Sequence, residues 1–151
     1  MILTTLAYIE KEEKYLMLYR NKKENDINEG KFVGIGGKLE HDESPREAII
    51  REIKEETNLD ASNPEYQGMV TFVNDICETE LIFIYLVREF SGEIQECNEG
   101  ELHWIEKDRI LELNLWAGDR YFLEPIINGK LTRPIDYKFI YSKDELIEVI
   151  M

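Results

Sequence analysis

The sequence is poor in cations, cysteine and histidine. Eighteen Lys and Arg stand against 32 Asp and Glu, a formal net charge of −14. A surface of that sign repels the phosphates of nucleic acid and of anionic membranes, which makes a long polyanion a poor partner. A small anion stays possible if a bound cation or a local basic cluster reverses the field. The two cysteines, Cys77 and Cys97, give neither a disulfide framework nor zinc-ligand spacing. No apolar run is long enough to span a membrane. Residues 1–9 are apolar, but no basic region precedes them and they meet Glu10 and Lys11 at once, so they read as a strand rather than a signal peptide. The expected setting is soluble, reduced and cytoplasmic. Internal repeats, low-complexity tracts and linkers are also missing.

What is present suits one packed domain over residues 1–151, of which 43% are hydrophobic. Residues 3–9 and 15–20 are short β-forming runs around a polar stretch and read as a hairpin. Residues 21–30 are polar and turn-rich, a loop. Residues 31–37 place three glycines around Phe32, Val33 and Ile35, which predicts a short strand ending in a tight bend. The best helix spans 44–58. Ser44 can cap it, Pro45 suits its first turn, Glu47 completes a capping box, and Asn58 stands where a left-handed closing residue is wanted. A second pair of strands is expected over 66–74 and 80–90, a brief strand at 104–105, a helix over 119–127 and a last strand at 138–141. A mixed sheet with helices against it, an α+β or α/β arrangement, follows.

The chemistry concentrates in residues 36–59. On the helix, Glu52, Glu55 and Glu56 lie at i, i+3 and i+4, so three carboxylates share one face, while Ile49, Ile50 and Ile53 form an adjoining apolar arc. A solvated acidic face is the commonest meaning of such a run. Like charges at i and i+4 nonetheless destabilise a helix by a few tenths of a kcal/mol each, and here they sit toward its negative end. A hard divalent cation would offset both effects, because Mg²⁺ takes oxygen ligands and completes its shell with water and phosphate.

The whole segment, GGKLEHDESPREAIIREIKEETNL, resembles the Nudix box, Gly-x5-Glu-x7-Arg-Glu-U-x-Glu-Glu-x-Gly-U, with U an aliphatic residue. Gly37, Glu43, Arg51, Glu52, Ile53, Glu55, Glu56 and Leu59 fill eight of its nine specified places. Asn58 stands where the family has glycine, and asparagine tolerates the left-handed conformation needed there. The resemblance implies an α+β fold, a Nudix-type α/β/α sandwich with a mixed sheet packed between helices, and a magnesium-dependent hydrolase, with Mn²⁺ able to substitute. It also implies that Glu52, Glu55 and Glu56 ligate metal together with a carbonyl of the Gly36–Gly37 bend. Arg51 then orients the glutamates with Glu43 as its partner, against the plainer reading of a surface ion pair to Glu47 or Glu55.

Three further stretches, NKKENDINEGKFVGIGGKLE, CNEGELHWI and LWAGDRYF, resemble the MutT/MutX branch, whose members remove oxidised purine nucleotides such as 8-oxo-dGTP. By that resemblance Glu99, five residues before Trp104, contributes to the metal site, unless it is an ordinary loop glutamate. Trp116 and Asp119 take the base, unless Trp116 merely packs the core. Arg20 and Lys38 are candidate phosphate contacts. Val33 occupies a position where the mammalian enzymes carry a base-binding asparagine, and Gly118 before Asp119 leaves the next base-contacting pair incomplete. The expected product chemistry is a nucleoside triphosphate cut to monophosphate and pyrophosphate. The alternatives are a Nudix diphosphatase of another nucleoside diphosphate derivative and a non-catalytic nucleotide-sensing module. In each case the partner is a small nucleotide rather than a nucleic acid polymer or a membrane.

Overall fold

The structure, a computed structural model, describes all residues 1–151. Strands β1 (Ile2–Lys11) and β2 (Lys14–Arg20) form an antiparallel hairpin in the register Ile9↔Leu16 and Lys11↔Lys14. Its two turn residues, Glu12 and Glu13, both take positive φ, 51° and 63°, as a tight hairpin turn requires. The segment expected to be one short strand over 31–37 is two. β3 (Phe32–Val33) pairs with β2, whereas β4 (Ile35–Lys38) pairs with β1, because the chain changes partner at Gly34.

Helix α1 (Pro45–Thr57) follows, then β5 (Asp60–Ser62), β6 (Glu65–Asn74), β7 (Cys77–Val87), β8 (Glu89–Ser91) and β9 (Gly100–Glu106). A 3₁₀ turn over Lys107–Glu112 leads to α2 (Asp119–Ile127), β10 (Ile135–Ser142) and β11 (Glu145–Ile150). The large sheet has the strand order β11-β10-β6-β7-β1-β2-β3, with β4 added to β1 and β9 to β2. It is mixed. β1 runs parallel to β7 and β6 parallel to β10, while the remaining pairs are antiparallel. β5 and β8 make a separate two-stranded ribbon.

The period-2 alternation of the strands divides the core into two. Tyr8, Tyr15, Met17, Ile84 and Leu86 face one side and pack with Phe122, Leu123 and Ile126 of α2. Ala7, Ile9, Leu16, Leu18, Tyr85 and Val87 face the other and pack with Ile49 and Ile53 of α1. The sheet thus lies between two helices, the expected α+β arrangement. No helix is long and apolar enough to cross a membrane.

Candidate active site

Helix α1 is fixed at both ends and along one flank. The Ser44 hydroxyl accepts from the Glu47 N–H at 3.1 Å, and the Glu47 carboxylate accepts from the Ser44 N–H at 3.0 Å. Asn58 closes the helix at φ 69°, its N–H donating to the Lys54 carbonyl at 2.9 Å. Ile49 and Ile53 are fully buried, each worth roughly 1.5–3 kcal/mol in removed apolar surface. That burial sets the rotation of the helix and turns Glu52, Glu55 and Glu56 toward β4 and a cleft of about 700 Å³.

Arg51 is the hub of the acidic flank. Its Nε and Nη2 donate to the two oxygens of Glu43 at 2.6 and 2.8 Å. Its Nη1 donates to Glu52 at 2.8 Å and Glu55 at 3.2 Å, and Nη2 also reaches the Lys38 carbonyl at 3.0 Å. Both the surface pair to Glu55 and the fork to Glu43 are therefore formed at once. Arg51 holds the Glu43 carboxyl down at about 2. Burial pushes the Glu52 carboxyl up, opposed by the same guanidinium.

Glu56 has no such cation. Its Oε2 accepts from the Gly36 N–H at 3.3 Å. Burial, followed by the adjacent Glu99 carboxylate, pushes its carboxyl well above the usual carboxylate range. Arg20 leans on the same cluster, with Nη1 2.9 Å from Glu99 and Nε 2.7 Å from Asp26. Those two donors are committed to carboxylates, so Arg20 stands as a counter-ion of the acidic site while it also lines the cleft. Lys38 is exposed at the cleft edge, and Lys23, not singled out from the sequence, joins it there.

The other end of the cleft is aromatic. Trp116 is 5% exposed and meets Phe72 and Tyr141 edge-on. Its Nε1 donates to Asn28 at 2.7 Å, and the Lys31 ammonium lies 4.7 Å from the ring centroid. The indole is thus part of the core cluster as well as of the cleft wall. Beside it, burial raises the Asp119 carboxyl to about 7 against the pull of Lys31. Val33 gives an apolar wall. Every residue singled out from the sequence lines this one cleft except Glu43, which acts on it through Arg51. Asp26, Asn28 and Lys31 had no signal of their own in a polar stretch: Asn28 and Lys31 meet Trp116, 88 positions beyond Asn28, and Asp26 meets Arg20 through the fold of the loop.

The NUDIX domain family model matches residues 3–125. The chain belongs to the NUDIX family. It is 28% identical over 137 residues to a CTP pyrophosphohydrolase of Escherichia coli, covering 90% of this chain and 98% of that one. It is also 29% identical over 128 residues to an oxidized purine nucleoside triphosphate hydrolase of Danio rerio, covering 83% and 80%. A crystal structure of a MutT protein from Bacillus halodurans superposes with a TM-score of 0.88 at 29% identity, over 99% of this chain and 97% of that one. This NUDIX chain is accordingly a hydrolase with MutT-like architecture.

NUDIX hydrolases generally use divalent metals, and the donor set here suits one. Glu56 and Glu99 are pressed together without a cation on Glu56, an arrangement that a hard divalent ion would relieve. A Cβ on Gly37 would lie 2.6 Å from the Glu52 carboxyl, so only glycine leaves that carboxyl against the β4 backbone. No three acids enclose a common point in this arrangement. Arg51 draws Glu52 and Glu55 to itself.

Proposed function

We propose that this chain hydrolyses a nucleoside triphosphate to the monophosphate and pyrophosphate with Mg²⁺, or Mn²⁺ in its place, and that its substrates include oxidised purines such as 8-oxo-dGTP. The observation that carries the reading is a single cleft with an acidic, cation-gathering end on α1 and an indole–carboxyl end at Trp116 and Asp119. Bound divalent ions would supply charge neutralisation of the phosphates and acidification of water. Glu52, Glu55, Glu56 and Glu99, with a carbonyl of the Gly36–Gly37 bend, would hold them. One of Glu52, Glu55 and Glu56 accepts the proton of the attacking water, and Arg51, locked by Glu43, keeps these acids in place. Lys23 and Lys38 balance the phosphate chain. Asp119 and Trp116 read the base, the carboxyl near neutrality able to donate or accept. A domain spanning 1–151, working on a small nucleotide in the cytoplasm, completes the proposal.

A second reading, a pyrimidine triphosphate such as CTP, is favoured by the Escherichia coli relative and by the apolar Val33 wall, which offers a base edge no hydrogen bond. Relative kcat/KM for 8-oxo-dGTP, dGTP, 2-hydroxy-dATP and CTP, with pyrophosphate and orthophosphate release measured separately, decides between them. Preference for the oxidised purine with pyrophosphate release upholds the first reading. A CTP preference selects the second, and orthophosphate release or no turnover with either metal defeats both.

A further inference from the structure

One hydrogen-bonded path crosses the cleft from its acidic end to its aromatic end. Glu99 accepts from Arg20 Nη1 at 2.9 Å, and Arg20 Nε donates to Asp26 Oδ2 at 2.7 Å. The other oxygen of Asp26 accepts from the Asn28 N–H at 3.1 Å and from its Nδ2 at 3.4 Å. Asn28 Oδ1 in turn accepts from the Trp116 indole N–H at 2.7 Å. The middle of the path is dry, the side chains of Arg20 and Asp26 being 11% and 5% exposed. Charge-assisted bonds in such surroundings are short and stiff, which makes the middle of the path a rigid brace. The loop carrying Asp26 and Asn28 is also tied down at its far end. The Lys31 N–H donates to the Asn28 carbonyl at 2.9 Å, and Asn114 Nδ2 donates to the Gly30 carbonyl at 2.8 Å.

We infer that Arg20, Asp26 and Asn28 are positioning residues that set the Trp116 indole at a fixed place relative to Glu99, so that the base and the phosphate chain of one nucleotide are seated together. The inference rests on the proposed nucleotide substrate for its kinetic consequence and on the hydrogen bonds alone for its structural one. Asn28 supplies the indole's hydrogen-bond partner, which fixes the ring's in-plane orientation, while Lys31, Phe72 and Tyr141 hold it from the sides. Asp26 serves both neighbours, with one oxygen for Arg20 and one for Asn28. Loss of the Asn28 side chain removes the indole's hydrogen-bond partner, while the backbone N–H bond to Asp26 and the Arg20 bonds to Asp26 and Glu99 stay.

The test uses Asn28→Ala and, because a buried ion pair tolerates loss of shape poorly, the isosteric Asp26→Asn as a second variant. Hydrolysis of dGTP is compared with that of an abasic deoxyribose triphosphate. Asn28→Ala should raise KM for dGTP about three- to tenfold, the range of one hydrogen bond, with kcat within about twofold and the abasic substrate unaffected. In a Trp116→Phe background, which has no indole N–H, Asn28→Ala should change KM for dGTP less than about twofold. A readout free of turnover and of metal comes from Trp104→Phe protein, where Trp116 is the remaining tryptophan. Acrylamide should quench its emission at least about twofold more strongly in the Asn28→Ala and Asp26→Asn variants. Equal loss on dGTP and the abasic substrate, a full additive effect in the Trp116→Phe background, or unchanged quenching overturns the brace. Protein that hydrolyses neither compound yet shows the increased quenching upholds the brace and defeats the nucleotide reading instead.

Discussion

Asp119 should destabilise the protein that carries it. Its carboxyl ionises at about 7 in the folded chain, raised by burial from the ordinary 3.8, with Lys31 pulling the other way. An acid whose folded pKa lies above its unfolded one holds more protons folded than unfolded between the two values. Stability therefore falls as pH rises from about 4 to about 7 and is level above that. The gap corresponds to a ceiling of about 4 kcal/mol. Cleft water shares the cost, so about 2 kcal/mol is the working expectation, or roughly 4–8 °C in melting temperature for a chain of this size. The assay is thermal or urea unfolding of wild type and Asp119→Asn from pH 4 to pH 9. Titration of all other groups enters both curves, so the difference isolates this side chain. The two proteins should match near pH 4 and diverge until about pH 8, with the amide variant the more stable and the less active. Parallel curves, or a less stable variant at pH 8, would mean that Asp119 ionises in the folded chain at least as readily as it does in the unfolded one.

Three other substitutions probe the scaffold of the site. Gly37→Ala brings a methyl to 2.6 Å from the Glu52 carboxyl, a flexible group that can swing away; melting should change by less than about 3 °C while kcat falls about tenfold or more. Glu43→Gln removes the charge that grips two nitrogens of Arg51; kcat should fall about tenfold with KM little changed, checked by steady-state kinetics. Gly68→Ala, at φ 132° where a Cβ would run into the Ile135 backbone across the β6–β10 pair, should cost about 3 kcal/mol or more, read by urea midpoint.

Most of the site could be read from the sequence because it is local. Ser44, Glu47, Asn58 and the Ile49–Ile53 flank dictate a helix and its rotation, and the three glutamates follow at fixed angles. The hairpin was equally plain from its β-forming runs, and so was the second strand pair, although the strand expected over 80–90 is β7, Cys77–Val87, and the chain breaks into β8 beyond it. The ribbon of β5 and β8 was not, since three-residue strands carry no period. β9 was expected only at 104–105 but runs Gly100–Glu106, its polar alternation readable as loop until β2 is seen beside it in full register. β11 is an edge strand with Glu145 and Glu148 outward, and its pattern resembles a solvated tail. Arg20 illustrates the harder limit. Its type suits phosphate, and only the fold of the 21–30 loop shows that Asp26 and Glu99 claim it.

The proposed activity requires the acids of α1 to gather divalent cations in the cleft. Calorimetric titration of Mn²⁺ into nucleotide-free protein, wild type against Glu56→Gln, tests it most directly, since Glu56 is the buried acid without a cationic partner and the amide preserves its shape. Wild type should bind, and the variant should bind at least about tenfold more weakly with its melting temperature intact. Equal affinity in the two proteins would show that Glu56 holds no cation.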